Sequence, residues 1–291
     1  MALGADDRTA VAVIGVGEMG SAVGRRLRAG GARVVTEVKG RSGQSVQRAV
    51  SAGLEIAGDD QSLVSSANFV LSIVPPGVAC EVAERFRVPL GRTQPKPVFV
   101  ECNAISPQTV GRIQDILSES GCSFVDAGII GGPPPADELS KGPRIYACGR
   151  YAEKFASLAR YGLDIVVLDG PIGAASALKL AYAGLTKGFT ALGAVMVGAA
   201  ARHHLADALR SELARSQPDM LIRLERFLPA MLPKAYRWVA EMEQIAEFAG
   251  DDSRGASVYQ GAARVYQEIT EELGAQPSSD WLSALSAFCK R

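Results

Sequence analysis

The stretch from Val11 to Gly31, VAVIGVGEMGSAVGRRLRAGG, constrains this chain more than any other. A short apolar run, Val11-Ala12-Val13-Ile14, suits a strand and ends in Gly15-Val16-Gly17-Glu18-Met19-Gly20. A helical pattern follows at once, with Met19, Val23 and Leu27 on one face. Strand, G-x-G-x-x-G, helix is the context in which this motif has a mechanism. Gly15 permits the tight turn out of the strand, Gly17 lets a pyrophosphate approach the backbone without meeting a Cβ, and Gly20 lets the helix pack close to the strand. The phosphates of a dinucleotide are expected at the helix N-terminus, where free N–H groups and the dipole favour negative charge. A plain strand-turn-helix without a ligand is the alternative.

The next strand, Arg33 to Val38, bears on which dinucleotide is taken. An acidic side chain near its end would hold the ribose hydroxyls of NAD(H). Glu37 stands about one residue early for that role. Lys39, Arg41 and Ser42 offer two cations and a hydroxyl where a 2′-phosphate would sit, and a guanidinium fork suits phosphate. The expectation is NADP(H) in preference to NAD(H), with NAD(H) possible. The alternative is a solvated basic turn.

Further along, Gln44 to Ala52 reads as a helix and Leu54 to Ala57 as a short strand. Asn68 to Val74 reads as a buried strand closed by Pro75-Pro76-Gly77. Pro95 to Glu101, Ser123 to Gly128, Arg144 to Cys148 and Asp164 to Leu168 supply more strands, with a helix-like Ala152 to Tyr161 between the last two. Strands alternating with helical patterns imply a parallel sheet covered on both faces, with ligands outside the carboxyl ends of its strands. Val74-Pro75-Pro76 and Cys102-Asn103-Ala104 fall at such ends and are candidates for flanking a nicotinamide.

After Gly170-Pro171 the texture changes. Ala174 to His204 is rich in alanine and glycine and reads as one long buried helix. Gly184, Gly188 and Gly193 would permit close neighbours. Its uncharged part, Gly188 to Ala201, is too short by itself to span a bilayer. Ala206 to Arg215, Pro218 to Phe227, Pro233 to Phe248, Gly255 to Leu273 and Ser278 to Lys290 are helical in pattern, and no strand-period segment follows Leu168. The fold class expected is therefore α/β, a Rossmann dinucleotide-binding domain over residues 1–170 followed by an all-α domain over residues 171–291 with one long central helix.

Composition narrows the partners. The 291 residues hold 31 basic and 31 acidic side chains, with no long block of one sign, which argues against nucleic acid or an anionic membrane. Five scattered cysteines without CxxC spacing suggest neither a disulfide framework nor a zinc site, so no metal is expected. Met1 to Ala10 is polar and reads as a loose tail rather than a signal peptide. A reducing, cytoplasmic setting is the default expectation.

The motifs in sum resemble the β-hydroxyacid dehydrogenase superfamily, which includes 6-phosphogluconate and 3-hydroxyisobutyrate dehydrogenases and, more distantly, imine reductases. GVGEMG is similar to its dinucleotide fingerprint. Glu101-Cys102-Asn103-Ala104-Ile105-Ser106-Pro107 resembles its D-x-S-T-x-x-P element. Asp126-Ala127-Gly128-Ile129-Ile130-Gly131-Gly132 resembles its substrate-binding D-A-P-V-S-G-G. Gly170 to Lys179 resembles its glycine-rich approach to a catalytic lysine. The tail, with Lys234 to Met242, resembles a bacterial branch whose C-terminal domain is similar to that of phosphogluconate dehydrogenases. There are departures: Ile130 replaces a serine, Asn103 and Ala104 replace Ser-Thr, and Tyr182 and Ala183 stand where paired asparagines follow the lysine.

Lys179 has a case independent of that resemblance. A lysine amid Ala, Ser and Leu near the start of a buried helix is partly desolvated, which lowers its pKa toward neutrality. Hydride transfer at an alcohol carbon needs such a proton-transfer group. A snorkelling lysine is the alternative. The Gly131-Gly132 backbone, stiffened by Pro133-Pro134-Pro135, can hold a carboxylate, and Asn103 and Ala104 lie where a substrate would be oriented. Tyr182 and Lys187 follow on the same helix as expected substrate-site residues, and Lys187, two turns on and on nearly the same face as Lys179, either faces the pocket or caps another helix. The resemblance implies Arg237 as a binder of an anionic group, with an aromatic core patch and a surface ion pair as the alternative, and a homodimer through the helical domain.

These readings converge on an NADP-dependent oxidoreductase acting on a small hydroxy or oxo acid or a semialdehyde. Imine reductase-like reduction of a C=N bond and a non-catalytic NADPH-binding regulator are the rivals.

Overall fold

The computed structural model describes residues 9–136, 142–250, 253–274 and 280–289. Most of the expected N-terminal tail, up to residue 8, lies outside them, as do residues 278, 279 and 290 of the expected last helix. Ala10, read as tail, opens the first strand.

The elements alternate as the pattern implied: β1 (Ala10–Ile14), α1 (Glu18–Ala29), β2 (Arg33–Thr36), α2 (Gly43–Ser51), β3 (Glu55–Ile56), α3 (Asp60–Ser65), β4 (Phe69–Ser72), α4 (Ala79–Arg92), β5 (Val98–Glu101), α5 (Pro107–Ser118), β6 (Ser123–Ile130), β7 (Arg144–Cys148), α6 (Ala152–Ala156) and β8 (Asp164–Val167). They form one eight-stranded sheet in the order β3-β2-β1-β4-β5-β6-β7-β8. Alternate residues of each strand serve opposite faces. Val11 and Val13 share one core cluster with Val23 and Leu27 of α1, whereas Ala12 and Ile14 share another with Val70, Phe86 and Phe99. Strands buried on both faces explain the continuous apolar runs in the sequence.

The sheet is not wholly parallel, which corrects the sequence expectation. β6 pairs antiparallel with β7, and β7 and β8 are parallel to each other. The cause lies in β6, which runs on past Asp126, the partner of the last residue of β5, as far as Ile130. The chain then returns with no helix among its described residues, and a helical crossover is what a parallel return uses. β2 is also shorter than read. It stops at Thr36, because Val38 O accepts the Arg41 N–H in a turn around Gly40, whose φ is +73°.

The rest is helical: α7 (Ala174–Arg202), α8 (Ala206–Ser216), α9 (Pro218–Met231), α10 (Ala235–Phe248), α11 (Ser253–Gly274) and α12 (Asp280–Cys289). The chain divides into two compact units between Lys179 and Leu180, inside α7, rather than at residues 170–171. The first turns of α7 belong to the sheet unit, because they pack on β6. Within the helical unit the glycines of α7 do permit close approach. A Cβ on Gly184 would lie 2.8 Å from the Tyr259 hydroxyl, and one on Gly193 would lie 2.3 Å from a Leu224 methyl. Tyr266, fully buried, donates to Lys187 O at 2.6 Å and meets Trp238 edge-on at 5.2 Å. By length and composition α7 is long and apolar enough to cross a membrane, so the length argument from Gly188 to Ala201 does not extend to the whole helix.

Candidate active site

The fingerprint folds as its glycines require. Gly15 has φ +92°, and a Cβ there would lie 2.3 Å from Ile73 O. A Cβ on Gly20 would lie 1.9 Å from Gly15 O, so only glycine lets α1 approach the turn this closely. Gly17 differs: a Cβ there would meet nothing within 4 Å. Gly17 is the N-cap of α1, and no side chain caps that helix. The open space and the uncapped N–H groups fit a pyrophosphate. Val16 is buried, Met19 is half-buried and the Glu18 side chain points to the surface.

Beyond β2, Lys39 and Ser42 are exposed and Arg41 is half-buried. Ser42 caps α2 by accepting the Ser45 N–H at 3.3 Å. Glu37 departs from expectation. Its side chain is 5% exposed and is tied to Arg85 of α4 at 2.7 Å.

Lys179 lies where the strands end. Its Nζ donates to Ile129 O at 2.8 Å. Two residues put it there. Gly128 allows α7 to lie against β6, since a Cβ would come within 2.7 Å of Ala175 O and 3.0 Å of Lys179 Cβ. Asp126 holds the start of the helix: Oδ2 accepts the N–H groups of Gly173, Ala175 and Ser176 at 3.0, 3.1 and 3.1 Å. Burial pushes the Lys179 ammonium down to about 8, against the opposing pull of Cys102 and Glu101. Glu101, fully buried at the end of β5, is pushed up to about 8 by burial; the Asn103 N–H resists this and the charge of Asp126 adds to it. Burial also pushes up the thiols of Cys102 and Cys148, which stay protonated. The centre therefore holds an amine able to exchange a proton near neutral pH.

The remaining expected residues divide. Val74 is buried and Pro75 and Pro76 reach the surface beside it. Asn103 is 3% exposed, and its carboxamide is already engaged. Its Oδ1 accepts the Val74 N–H at 2.6 Å, and its Nδ2 donates to Ser72 Oγ at 3.0 Å. Asn103 thus braces the Val74 loop. Ala104 is buried and offers only backbone. Gly131 and Gly132 are exposed, and Arg25 of α1 donates to Pro134 O at 3.1 Å, fixing the loop beyond them.

Tyr182, Lys187 and Arg237 belong to the helical unit. Tyr182 is 53% exposed, and the Arg237 guanidinium lies over the Tyr236 ring at 5.7 Å. Lys187 forms an ion pair with Glu241 and lies 4.9 Å over the Trp238 ring. Its charge is committed within that unit, so the geometry does not present it as a free substrate cation. No cluster of His, Cys, Asp and Glu among the described residues could hold a metal ion.

Sequence reasoning passed over Gly128 and Arg85. Gly128 had a signal, since it replaces the proline of D-A-P. Arg85 had none, because its partners Glu37 and Asp60 are distant in sequence.

Comparison with known proteins agrees with this architecture. Residues 10–161 match the NAD binding domain of 6-phosphogluconate dehydrogenase, and residues 200–269 match a domain of unknown function. A conserved protein, its structure described as similar to 3-hydroxyacid dehydrogenases, is 30% identical, covers 90% of this chain and 97% of its own, and superposes with a TM-score of 0.64. An uncharacterised 28.5 kDa protein of Methanothermus fervidus is 28% identical over 74% of this chain and 80% of its own. The 3-hydroxyisobutyrate dehydrogenase of Mycobacterium tuberculosis shares the fold at a TM-score of 0.71 and 16% identity, over 96% of this chain and 99% of its own. With the fingerprint, the sheet and the approach to Lys179 in place, the chain belongs to the β-hydroxyacid dehydrogenase superfamily and carries a nicotinamide-dinucleotide-binding domain of the 6-phosphogluconate dehydrogenase type.

Proposed function

We propose that this protein is an NADP(H)-dependent oxidoreductase that interconverts a small hydroxy acid with its oxo acid, or an alcohol with a semialdehyde. The observation that carries the reading is the placement of Lys179: a half-buried amine on Ile129 O, at the strand ends, with its pKa lowered to about 8. When bound, the nicotinamide supplies or accepts the hydride. Lys179 Nζ gives a proton to the substrate oxygen in reduction and takes one in oxidation. The Gly131-Gly132 backbone N–H groups orient a substrate carboxylate. Val74, braced by Asn103, walls the nicotinamide side, and Lys39, Arg41 and Ser42 at the N-terminus of α2 receive the 2′-phosphate.

A lysine at this position favours a carbonyl substrate over an imine, whose cationic form needs no further cation beside it. The experiment is NADPH consumption against small 2-oxo and 3-oxo acids, semialdehydes and cyclic imines, with wild type and Lys179→Ala. Lysine-dependent turnover of an oxo acid or semialdehyde supports the reading. Imine turnover that survives the substitution transfers the protein to C=N reduction, and tight NADPH binding without turnover of any substrate makes it a regulator.

The working form is proposed to be a cytoplasmic homodimer. Tyr182, Leu185, Leu192 and Met196 expose an apolar stripe along α7, from 50% to 76% exposed, at steps of three, seven and four residues, which fit a helix-pairing seam. Light scattering of wild type and Leu185→Glu tests this: a dimer that becomes a monomer is expected, and a monomeric wild type refutes it.

A further inference from the structure

Beside the turn expected to take the 2′-phosphate lies a cluster of opposite sign. Glu37 directly follows β2 and is two residues from Lys39. Its carboxylate is buried. Oε2 accepts from Arg85 Nη2 at 2.7 Å, and Oε1 has no hydrogen-bond partner among the described residues. Arg85 is itself anchored, with Nε and Nη2 on the two oxygens of Asp60 at 2.7 and 2.6 Å. The anchor is firm because Asp60 opens α3, whose N-terminus also favours a carboxylate. A carboxylate beside a phosphate would repel it, and among the described residues one cation, that of Arg85, is in direct contact with this one.

We propose that Arg85 is a specificity-determining positioning residue: by pairing with Glu37 it offsets the carboxylate that would otherwise exclude the 2′-phosphate, and so allows NADP(H) at a strand end with an acidic residue. Arg85 comes from α4, far in sequence from the turn, and acts through Glu37. The pair sets the affinity for NADP(H), and through it the ratio of the two dinucleotides. NAD(H) has no charge at the ribose 2′ position and is nearly indifferent to it. The screened repulsion of one added negative charge several ångströms from the phosphate corresponds to roughly a tenfold change in affinity.

The inference rests on reading Lys39, Arg41 and Ser42 as the 2′-phosphate site, so the test separates the two. Dissociation constants for NADPH and NADH are measured by cofactor fluorescence, without substrate, for wild type, Arg41→Ala, Arg85→Gln, Arg85→Lys, Glu37→Gln and the Arg85→Gln/Glu37→Gln pair. Arg41→Ala should weaken NADPH alone; an unchanged constant there overturns the phosphate site itself. Arg85→Gln should weaken NADPH about tenfold more than NADH, Arg85→Lys less so, and Glu37→Gln should shift the ratio toward NADPH. The double variant should recover the wild-type ratio or better. If Arg41→Ala behaves as expected but Arg85→Gln moves both dinucleotides equally, or Glu37→Gln leaves the ratio unchanged, Arg85 is only a structural anchor and the inference is wrong. Should Arg85→Gln fail to fold, Glu37→Gln alone decides.

Discussion

Asp126 Oδ1 accepts a 2.5 Å hydrogen bond from Ser176 Oγ, so a residue in the middle of β6 fastens the first turn of α7. The other carboxylate oxygen takes three backbone N–H groups of that turn, and the side chain is fully buried. Asp126→Ala takes the acceptor from the Ser176 hydroxyl and from the Gly173 and Ser176 N–H groups, while the Ala175 N–H keeps a second acceptor in Cys148 Sγ at 3.3 Å. The expected loss is about 3 kcal/mol or more, read as a lower midpoint in chemical denaturation. A loss within 0.5 kcal/mol, roughly the scale of a neutral surface change, would show that water replaces the cap.

Gly128→Ala tests the same contact from the other side. Its Cβ would press on Ala175 O and Lys179 Cβ, so α7 must shift away from β6. A stability cost of about 1–3 kcal/mol is expected. Turnover should fall more than NADPH affinity does, because the fingerprint glycines are untouched while the amine is displaced. Equal losses in both would point to general unfolding.

The lowered Lys179 value fixes the sign of the pH dependence. Above about 8 the ammonium is lost. In the reducing direction the ammonium must donate, so kcat/KM should fall as pH rises through about 8. In the oxidising direction the free amine must accept, so kcat/KM should rise through the same value. Lys179→Ala should lose about two to four orders of magnitude in turnover with dinucleotide affinity retained. Profiles sloping the same way in both directions would exclude the lysine as the proton carrier.

Glu101 gives a stability signature. Its folded value of about 8 lies above its ordinary 4.5, so the folded state keeps a proton that the unfolded chain releases. Its contribution is fully present below about 4.5 and is lost as pH rises to about 8. Glu101→Gln removes this titration, and its denaturation midpoint should vary less with pH across that window than that of wild type. Identical slopes would mean that the carboxyl ionises at its ordinary value.

Lys187 separates structure from substrate binding. The ammonium and the Glu241 carboxylate are 21% and 17% exposed. Lys187→Met strands a partly buried carboxylate and should cost about 2 kcal/mol, less than a fully buried pair would. NADPH affinity should be unchanged, and Glu241→Gln should recover part of the loss. A variant of undiminished stability with a raised KM would return Lys187 to the substrate site.

The sequence by itself determined the fingerprint and the order of strands and helices, and marked Lys179 as a candidate, because each of these signals lies among neighbours along the chain. Gly15, Gly17 and Gly20 declare their conformations within one turn, and the amine sits in a local run of small residues. What lay between distant segments was not legible. The reversal of β7 depends on how far β6 outruns β5. The bracing role of Asn103 depends on Ser72 and Val74 lying across a strand end. Glu37 reads as an ordinary strand-end acid until Arg85 and Asp60 arrive from two other helices. Only tertiary structure decided these, because hydrogen bonds and charges act over a few ångströms of space, whatever the separation along the chain.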